Sequence, residues 1–131
     1  MFQSIKELCD KMMNQEFSFA DFSRALKDMN VERVSVDFIR KEHVFYFQDG
    51  RFFIYSLPSD YELVIAKTFD QQKVKDAIFE FDRNIINPRQ FHMKLSAAGV
   101  LIATGFFMDQ RGIYVGQNCN FYLEEWDDEF C

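Results

Sequence analysis

Two histidines are the side chains best suited to acid–base chemistry near neutral pH, because an imidazole titrates in that range. His43 opens a predicted strand, where alternation places it on the same side as Phe45 and Phe47. To act as a general base it would need a carboxylate close by, such as Asp37 or Glu42. The sequence favours instead a polar histidine at a strand edge.

His92 follows Phe91 on a predicted helix, beside the apolar stripe of that helix. Neither histidine belongs to an HxxH, HExxH or CxxC spacing, so the sequence predicts no metal site and no other cofactor. The five glycines form no phosphate-binding loop, and no GxSxG motif occurs. An enzyme is therefore the less favoured interpretation.

Cysteine is the remaining candidate nucleophile, and it needs a basic neighbour to form a thiolate. Cys119 is expected near an exposed turn, with only Arg111 across the hairpin as such a neighbour. Cys9 falls on the apolar face of the first predicted helix, which indicates a core thiol. Three cysteines without a CxxC pair are typical of a reducing compartment, so we expect a cytoplasmic protein.

Charge and hydropathy exclude two classes of partner. Fifteen Lys and Arg against 21 Asp and Glu give a net charge of -6 without a basic stripe, which disfavours nucleic acid. The first ten residues hold charges and no apolar stretch of membrane-spanning length, so we expect a soluble domain that does not bind membranes. Acidic residues surround Trp126 in a segment expected to be solvated, namely Glu124, Glu125, Asp127, Asp128 and Glu129.

The elements that must position these side chains occur twice in the chain. Residues 17–55 align without a gap with residues 86–124, 69 positions later. The alignment keeps physical type at matched positions, as in Phe22/Phe91, Leu26/Leu95, Val31/Val100, Phe38/Phe107 and Asn30/Gly99. It breaks at the acidic segment and at the three pairs His43/Gly112, His92/Ser23 and Cys119/Gly50. If function resides in single residues, we expect it at these breaks.

Each unit has the pattern of two helices followed by a three-stranded meander. Ser18 and Asn87 are N-cap signals, while Asn30 and Gly99 accept the left-handed conformation that ends a helix. After each stop the apolar period changes from helical to alternating. The expected strands are about 33–38, 43–48, 51–57, 101–108, 111–115 and 119–124, and residues 61–66 are a candidate for another.

These elements predict an α+β fold. We expect one domain, residues 1–131, made of two tandem helix-helix-three-stranded antiparallel meander repeats, about 1–62 and 70–131. The repeats would be related by a pseudo-twofold axis, with the helices packed on the sheet. The pattern leaves open whether the strands form one sheet or two.

The pattern Phe-x-x-x-Leu-x-x-x-x-Val begins at Phe22 and recurs over residues 91–100, each time ahead of an aromatic hairpin. In this the chain resembles the YbcV-like family, a domain of unknown function. The resemblance covers nearly the whole chain and implies two helix-and-hairpin units. Some members are labelled phage envelope proteins, and many carry a Tyr-Tyr-Gly-like hairpin sequence where this chain has Tyr46-Phe47-Gln48 and residues 114–116. The resemblance implies no catalytic residue.

Aromatic residues make up 18% of the chain, including 17 phenylalanines, so much of the core should be aromatic. Consecutive aromatic residues in the hairpins must point to both faces of a sheet. One face would meet the helices, and the other would meet the second repeat, a partner or a ligand, with burial between the repeats favoured. The candidate ligand or partner residues are His43, Tyr46, Phe53, Tyr55, Tyr114, Cys119, Tyr122 and Trp126.

Two functions fit this composition. The leading one is a non-enzymatic interaction module. Its outward aromatic face, including Phe53 and Tyr122, would engage a protein partner or a second copy together with the segment around Trp126. The alternative is a small-molecule-binding or enzymatic domain with an aromatic pocket between the repeats. The residues that would orient a ligand there are His43, Tyr46 and Cys119.

Overall fold

A computed structural model describes residues 2–14, 18–58 and 60–126, so Cys131 and most of the predicted acidic segment lie outside the described residues. The described chain is α+β, with four helices and one six-stranded antiparallel sheet in the order β3-β2-β1-β4-β5-β6. The helices are α1 (Phe2–Met13), α2 (Phe19–Asp28), α3 (Gln71–Asp82) and α4 (Pro88–Ala97). The strands are β1 (Val31–Asp37), β2 (Glu42–Phe47), β3 (Phe52–Ser56), β4 (Val100–Phe106), β5 (Arg111–Gly116) and β6 (Phe121–Glu125).

Helices α2 and α4 begin where the N-cap signals predict. The Ser18 hydroxyl accepts a hydrogen bond from the Asp21 amide, which satisfies one of the free N–H groups of the first turn. The Asn87 side chain accepts from the Gln90 amide, and the Gln90 side chain accepts from the Asn87 amide in return. These local bonds stabilise the first turn of each helix and set the residue at which it starts.

Both helices also end at the predicted residues. Asn30 and Gly99 adopt positive φ angles of 62° and 90°, the left-handed conformation of a helix C-terminus. At Gly99 a Cβ atom would lie 2.4 Å from the Thr68 carbonyl oxygen, so glycine is required there by space as well as by φ. The next residues, Val31 and Val100, start strands β1 and β4 and are fully buried.

The antiparallel register assigns each strand residue to one of two faces, because directly paired residues point to the same side. Val34 pairs with Phe45 and Val36 with His43 on the side that we call the inner face. The inner face holds Val34, Val36, His43, Phe45, Phe53, Tyr55, Ala103, Gly105, Gly112, Tyr114, Tyr122 and Glu124. The opposite side, which we call the outer face, holds Arg33, Ser35, Asp37, Glu42, Val44, Tyr46, Phe52, Ile54, Ser56, Ile102, Thr104, Phe106, Arg111, Ile113, Val115, Phe121, Leu123 and Glu125.

The helices cover the inner face and form two buried clusters with it. In the first, Leu26 of α2 and Ile5 of α1 pack with Phe45. In the second, Val74 of α3 and Leu95 of α4 form a core with the inner-face tyrosine of β5. The core therefore lies in a single layer between helices and sheet.

Two expectations about the strands are wrong. Residues 61–66 form no strand, although Tyr61 is buried and the Ala66 amide donates to the Ser96 carbonyl of α4. The outer face is not buried between the two halves of the chain, because β1 pairs with β4 and the halves lie side by side in one sheet. Apolar residues on that face stay exposed, Phe52 and Phe121 each by 57%.

Candidate ligand-binding cavity

A cavity of about 120 Å³ lies between the helices and the inner face of the sheet. Each of the four helices contributes to its wall, and strands β1 to β5 contribute the floor. Side chains from helices include Cys9, Met12, Met13, Phe19, Phe22, Phe81, Pro88, Phe91, His92 and Leu95. The sheet and its connections supply Val34, Val36, Phe38, His43, Phe45, Tyr55, Ala103, Thr104, Gly105, Phe107, Gly112, Tyr114 and Trp126.

His43 lies on the inner face of β2 and lines this cavity. Its ring centroid is 6.2 Å from that of Phe45, 6.1 Å from that of Tyr55 and 5.3 Å from that of His92. The expectation of a strand-edge histidine is wrong, because β2 is an internal strand between β3 and β1. Its Nδ1 atom is buried and has no hydrogen-bond partner, so one residue of the cavity wall carries a polar atom without a partner.

His92 reaches the same cavity from helix α4 and is buried. Its Nδ1 atom lies 3.5 Å from the hydroxyl oxygen of Tyr61, a long contact. Its ring also makes an edge contact with Phe38, with 5.7 Å between centroids. The two histidine rings therefore lie next to each other at a tilt of 58°, within a largely apolar wall.

Burial lowers the pKa of both histidines, because an apolar surrounding disfavours the charged imidazolium. The pKa of His43 falls from 6.5 to about 4. The pKa of His92 falls well below 6.5, through burial first and then through repulsion from His43. Both imidazoles are thus neutral at pH 7 and available as hydrogen-bonding groups rather than as cations.

The other titratable groups of the wall are neutral as well. Burial, more than the nearby Asp10 carboxylate, raises the pKa of the Cys9 thiol to about 12, which removes it as a nucleophile at pH 7. Burial raises the pKa of Tyr55, whose hydroxyl donates to Asp10 over 2.8 Å. The pKa of the buried Tyr114 also lies well above its usual value, and its hydroxyl donates to Glu124 over 3.1 Å.

Charge is absent from the cavity wall within the part of the chain that the structure describes, since no Lys, Arg, Asp or Glu lines it. The candidate partners of a general base, Asp37 and Glu42, lie on the outer face while His43 lies on the inner face. Among residues 2–14, 18–58 and 60–126 no cluster of three or more His, Cys, Asp or Glu side chains could hold a metal ion. The arrangement suits binding of an uncharged molecule better than proton transfer.

The structure brings five of the eight candidate residues close to the cavity or onto its wall. His43, Tyr55, Tyr114 and Trp126 line it, and the Tyr122 ring lies 6.5 Å from that of Tyr114. The Trp126 indole donates to Glu124 and covers two inner-face glycines, the closer being Gly105, where a Cβ atom would lie 3.2 Å from the indole.

The remaining candidates lie elsewhere. Cys119 is exposed in a 3₁₀ turn, Gln117–Cys119, and does not line the cavity. Tyr46 lies on the outer face, where the Arg33 guanidinium sits 4.0 Å from its ring centroid. Phe53 was expected on the outward face together with Tyr122. Both lie on the inner face instead, because each pairs directly with an inner-face residue of the neighbouring strand.

Sequence reasoning missed Tyr61 and Phe38 as neighbours of His92. No local pattern marks Tyr61, because it lies in a connector without regular structure. The breaks in the internal alignment were the better signal. His43 and His92, which have Gly112 and Ser23 as their counterparts, come together in the cavity, and Gly112 lines it too.

Within the described residues, no helix combines the length and the hydropathy needed to cross a bilayer. No protein-family model matches the chain, and no curated protein matches it significantly. The likeness to the YbcV-like family therefore stays a prediction.

Proposed function

We propose that the protein binds a small uncharged molecule in the cavity beneath the sheet. The cavity itself carries this proposal. Protein interiors contain few voids larger than a water molecule. At roughly 24 cal/mol for each Å³, an enclosed void of about 120 Å³ would cost on the order of 3 kcal/mol when left empty, and because this cavity is partly open that figure is an upper limit. A ligand that fills it recovers much of that loss.

The position of the cavity also supports binding. It collects in one place two of the three residues that break the internal alignment, His43 and His92, while the third, Cys119, lies outside it. Small-molecule sites are mostly apolar with a few polar groups that fix orientation, and this wall has that composition.

Thermal unfolding in the presence of benzene tests the proposal. At ten times its Kd, a ligand that binds only the folded state adds about 1.4 kcal/mol, or about 3–5 °C in Tm for a domain of this size. In Ala103→Leu the larger side chain projects from the inner face of β4 into the cavity, so the benzene shift should disappear. Val64→Leu, at an exposed connector position, is the matched control. A wild-type protein that benzene does not stabilise contradicts the proposal.

A second candidate function is self-association through the outer face, and the charge pattern of that face favours it. Outer-face residues that pair directly from strand to strand form rows that run across the sheet. The middle row contains no charged side chain and consists of Ile54, Val44, Ser35, Thr104, Ile113 and Leu123. One flanking row carries Arg33 and Arg111, with Glu125 of the same row 3.9 Å from the Arg111 guanidinium, and the other row carries Asp37 and Glu42.

A second copy of this chain fits that pattern. A twofold axis parallel to the rows would place Arg33 of each copy over Asp37 of the other, with the middle rows in contact. Each of these charges already has a local partner. Arg33 pairs with Glu32, and Asp37 accepts from the Ile39 and Arg40 amides. The charges would therefore set orientation, while the apolar row supplies the affinity.

Sedimentation equilibrium tests this second candidate. We expect a dimer that Leu123→Lys dissociates and that added salt weakens, since charge pairs are screened. Val64→Lys removes an exposed apolar residue away from the outer face and should leave the dimer intact. A wild-type chain that stays monomeric at high concentration contradicts self-association without bearing on the cavity.

We also propose that the chain arose by duplication of one helix-helix-meander unit and that it belongs with the YbcV-like proteins. Support for the duplication comes from the centre of the sheet. Ser35 of β1 pairs with Thr104 of β4, its counterpart 69 positions later, and their hydroxyl oxygens lie 2.7 Å apart. If a pseudo-twofold axis relates the two units, it passes between two equivalent residues that pair with each other at the centre of the sheet.

A further inference from the structure

We propose that the ligand is a single aromatic ring carrying one hydroxyl group, a phenol, whose hydroxyl forms a hydrogen bond with Nδ1 of His43. This inference rests on the proposed cavity function and names the chemical class of its ligand. Four properties of the site lead to it, namely volume, wall chemistry, the number of polar atoms without a partner, and charge.

Volume limits the ligand to about one ring. An apolar protein cavity of about 150 Å³ accepts benzene. The present cavity, at about 120 Å³, is of that order and too small for a fused ring system or a long acyl chain. The ligand is therefore a monocycle or something smaller.

The wall favours an aromatic ring over a saturated one. Rings surround the space from both layers, and several already pair edge to face or at a tilt, such as Phe19 with Phe107 and His43 with His92. Two aromatic rings in an offset-stacked or edge-to-face arrangement gain roughly 0.5–1.5 kcal/mol in addition to the contribution of their buried surface area. A planar ring between the helices and β2 would make such contacts with Phe45, Phe91 and Tyr55, all of which line the cavity.

One residue of this wall carries a buried polar atom without a partner. Among the described residues the buried side-chain atoms without a hydrogen bond are His43 Nδ1 and Ser23 Oγ, and only His43 lines the cavity. The rings packed around His43, those of Phe45, Tyr55 and His92, also line it. A hydroxyl suits either tautomer of a neutral imidazole, because it donates to an unprotonated nitrogen and accepts from a protonated one.

Charge excludes an acid of the same size. A carboxylate such as benzoate would leave water for a wall that has no Lys or Arg among the described residues. Protonation of His43 would supply a cation, but burial keeps its pKa at about 4. The neutral phenol has no such cost, since its single hydroxyl exchanges water for the imidazole nitrogen.

Isothermal titration of the full chain at pH 7 with benzene, phenol and benzoate tests the inference. We expect benzene and phenol to bind and benzoate not to bind. His43→Phe should lower the phenol affinity about 2–10-fold relative to benzene, the equivalent of one hydrogen bond. Tyr46→Phe, an aromatic residue of the same strand on the outer face, should leave the ratio unchanged.

The outcomes separate this inference from the function on which it rests. If neither benzene nor phenol binds, the cavity function itself fails. If both bind and His43→Phe leaves their ratio unchanged, or if benzoate binds more tightly than phenol, the function stands and the hydroxyl assignment is overturned. In the wild-type chain, the imidazole ¹⁵N resonances of His43 should shift with phenol and much less with benzene, which provides a readout if the variant does not fold.

Discussion

Phe45 and Tyr46 are neighbours on strand β2, yet they meet opposite surroundings. Phe45 points to the inner face and is fully buried, whereas Tyr46 points to the outer face and stays partly exposed beneath the Arg33 guanidinium. The same contrast holds across the sheet. Helices cover the inner face and enclose with it a cavity that holds two neutral histidines, whereas the outer face has an uncharged row between charged ones. Both faces carry Phe and Tyr side chains, so coverage decides which face can bind a small molecule.

The largest difference between the faces should appear in stability. Phe45→Ala removes a fully buried ring from the cavity wall and should lower the free energy of unfolding by about 3–5 kcal/mol. Phe52→Ala, one strand away on the outer face and 57% exposed, should cost less than about 1 kcal/mol. Urea unfolding of both variants, followed by circular dichroism at dilute concentration, measures the two values.

One result of these measurements would contradict the contrast between the two faces. If Phe52→Ala costs as much as Phe45→Ala even in dilute protein, the outer face is covered within the monomer. Dilution matters because self-association would hide Phe52 at high concentration. A cost for Phe52→Ala that rises with concentration would instead point to a second copy on that face.

The histidines should make stability depend on pH. In the unfolded chain His43 titrates near 6.5 and in the folded chain near 4, so between these values the unfolded state binds more protons. Stability is fully present above pH 6.5 and falls as the pH falls toward 4. The shift of His43 alone corresponds to about 3 kcal/mol, and the lowered pKa of His92 acts in the same direction.

Urea unfolding at intervals between pH 7 and 4.5 measures this loss. His43→Phe should reduce the slope, and His43→Phe with His92→Leu should nearly remove it. This pH range lies above the titration of the paired carboxylates Asp10, Asp21 and Asp60. Hydrogen bonds and ion pairs lower the pKa values of these three groups below 3.8. Equal slopes in the wild type and the double variant would mean that the histidines are hydrated, which contradicts a dry cavity.

Much of the fold could be predicted because its signals are local. The caps at Ser18 and Asn87 and the stops at Asn30 and Gly99 depend on residues within one turn of the chain, and all four are confirmed. The order of helices and strands follows from the change of apolar period at these stops. Strand limits differ by at most two residues, as expected where pairing frays.

The candidate site could be predicted only in part, because strand order is a tertiary property. Alternation placed His43 with Phe45, but only the sheet order makes β2 internal and turns a strand-edge histidine into a buried one. The outward assignment of Phe53 failed because it requires the register of β3 against β2. Comparing the two units was more informative, since two of its breaks, at His43 and His92, identified both histidines of the cavity.

The smallest predicted effect lies at the centre of the outer face. Ser35 and Thr104 share a hydrogen bond of 2.7 Å across β1 and β4, at a partly buried position. A double-mutant cycle with Ser35→Ala and Thr104→Val should give a coupling of about 0.5–1 kcal/mol, typical of a cross-strand hydroxyl pair. Ser35→Ala with Ser56→Ala, two strands apart on the same face, should give none.

Repeating this double-mutant cycle at several protein concentrations tests whether the outer face, like the inner face, becomes covered. A second copy packed on the outer face would exclude water from its middle row and strengthen the hydroxyl pair, since hydrogen bonds gain in a low-dielectric surrounding. The coupling should then rise with protein concentration, while the pH slope that His43 and His92 cause stays constant. A coupling that is near zero at every concentration would mean that the middle row remains hydrated, and it would leave the inner face as the binding face of the molecule.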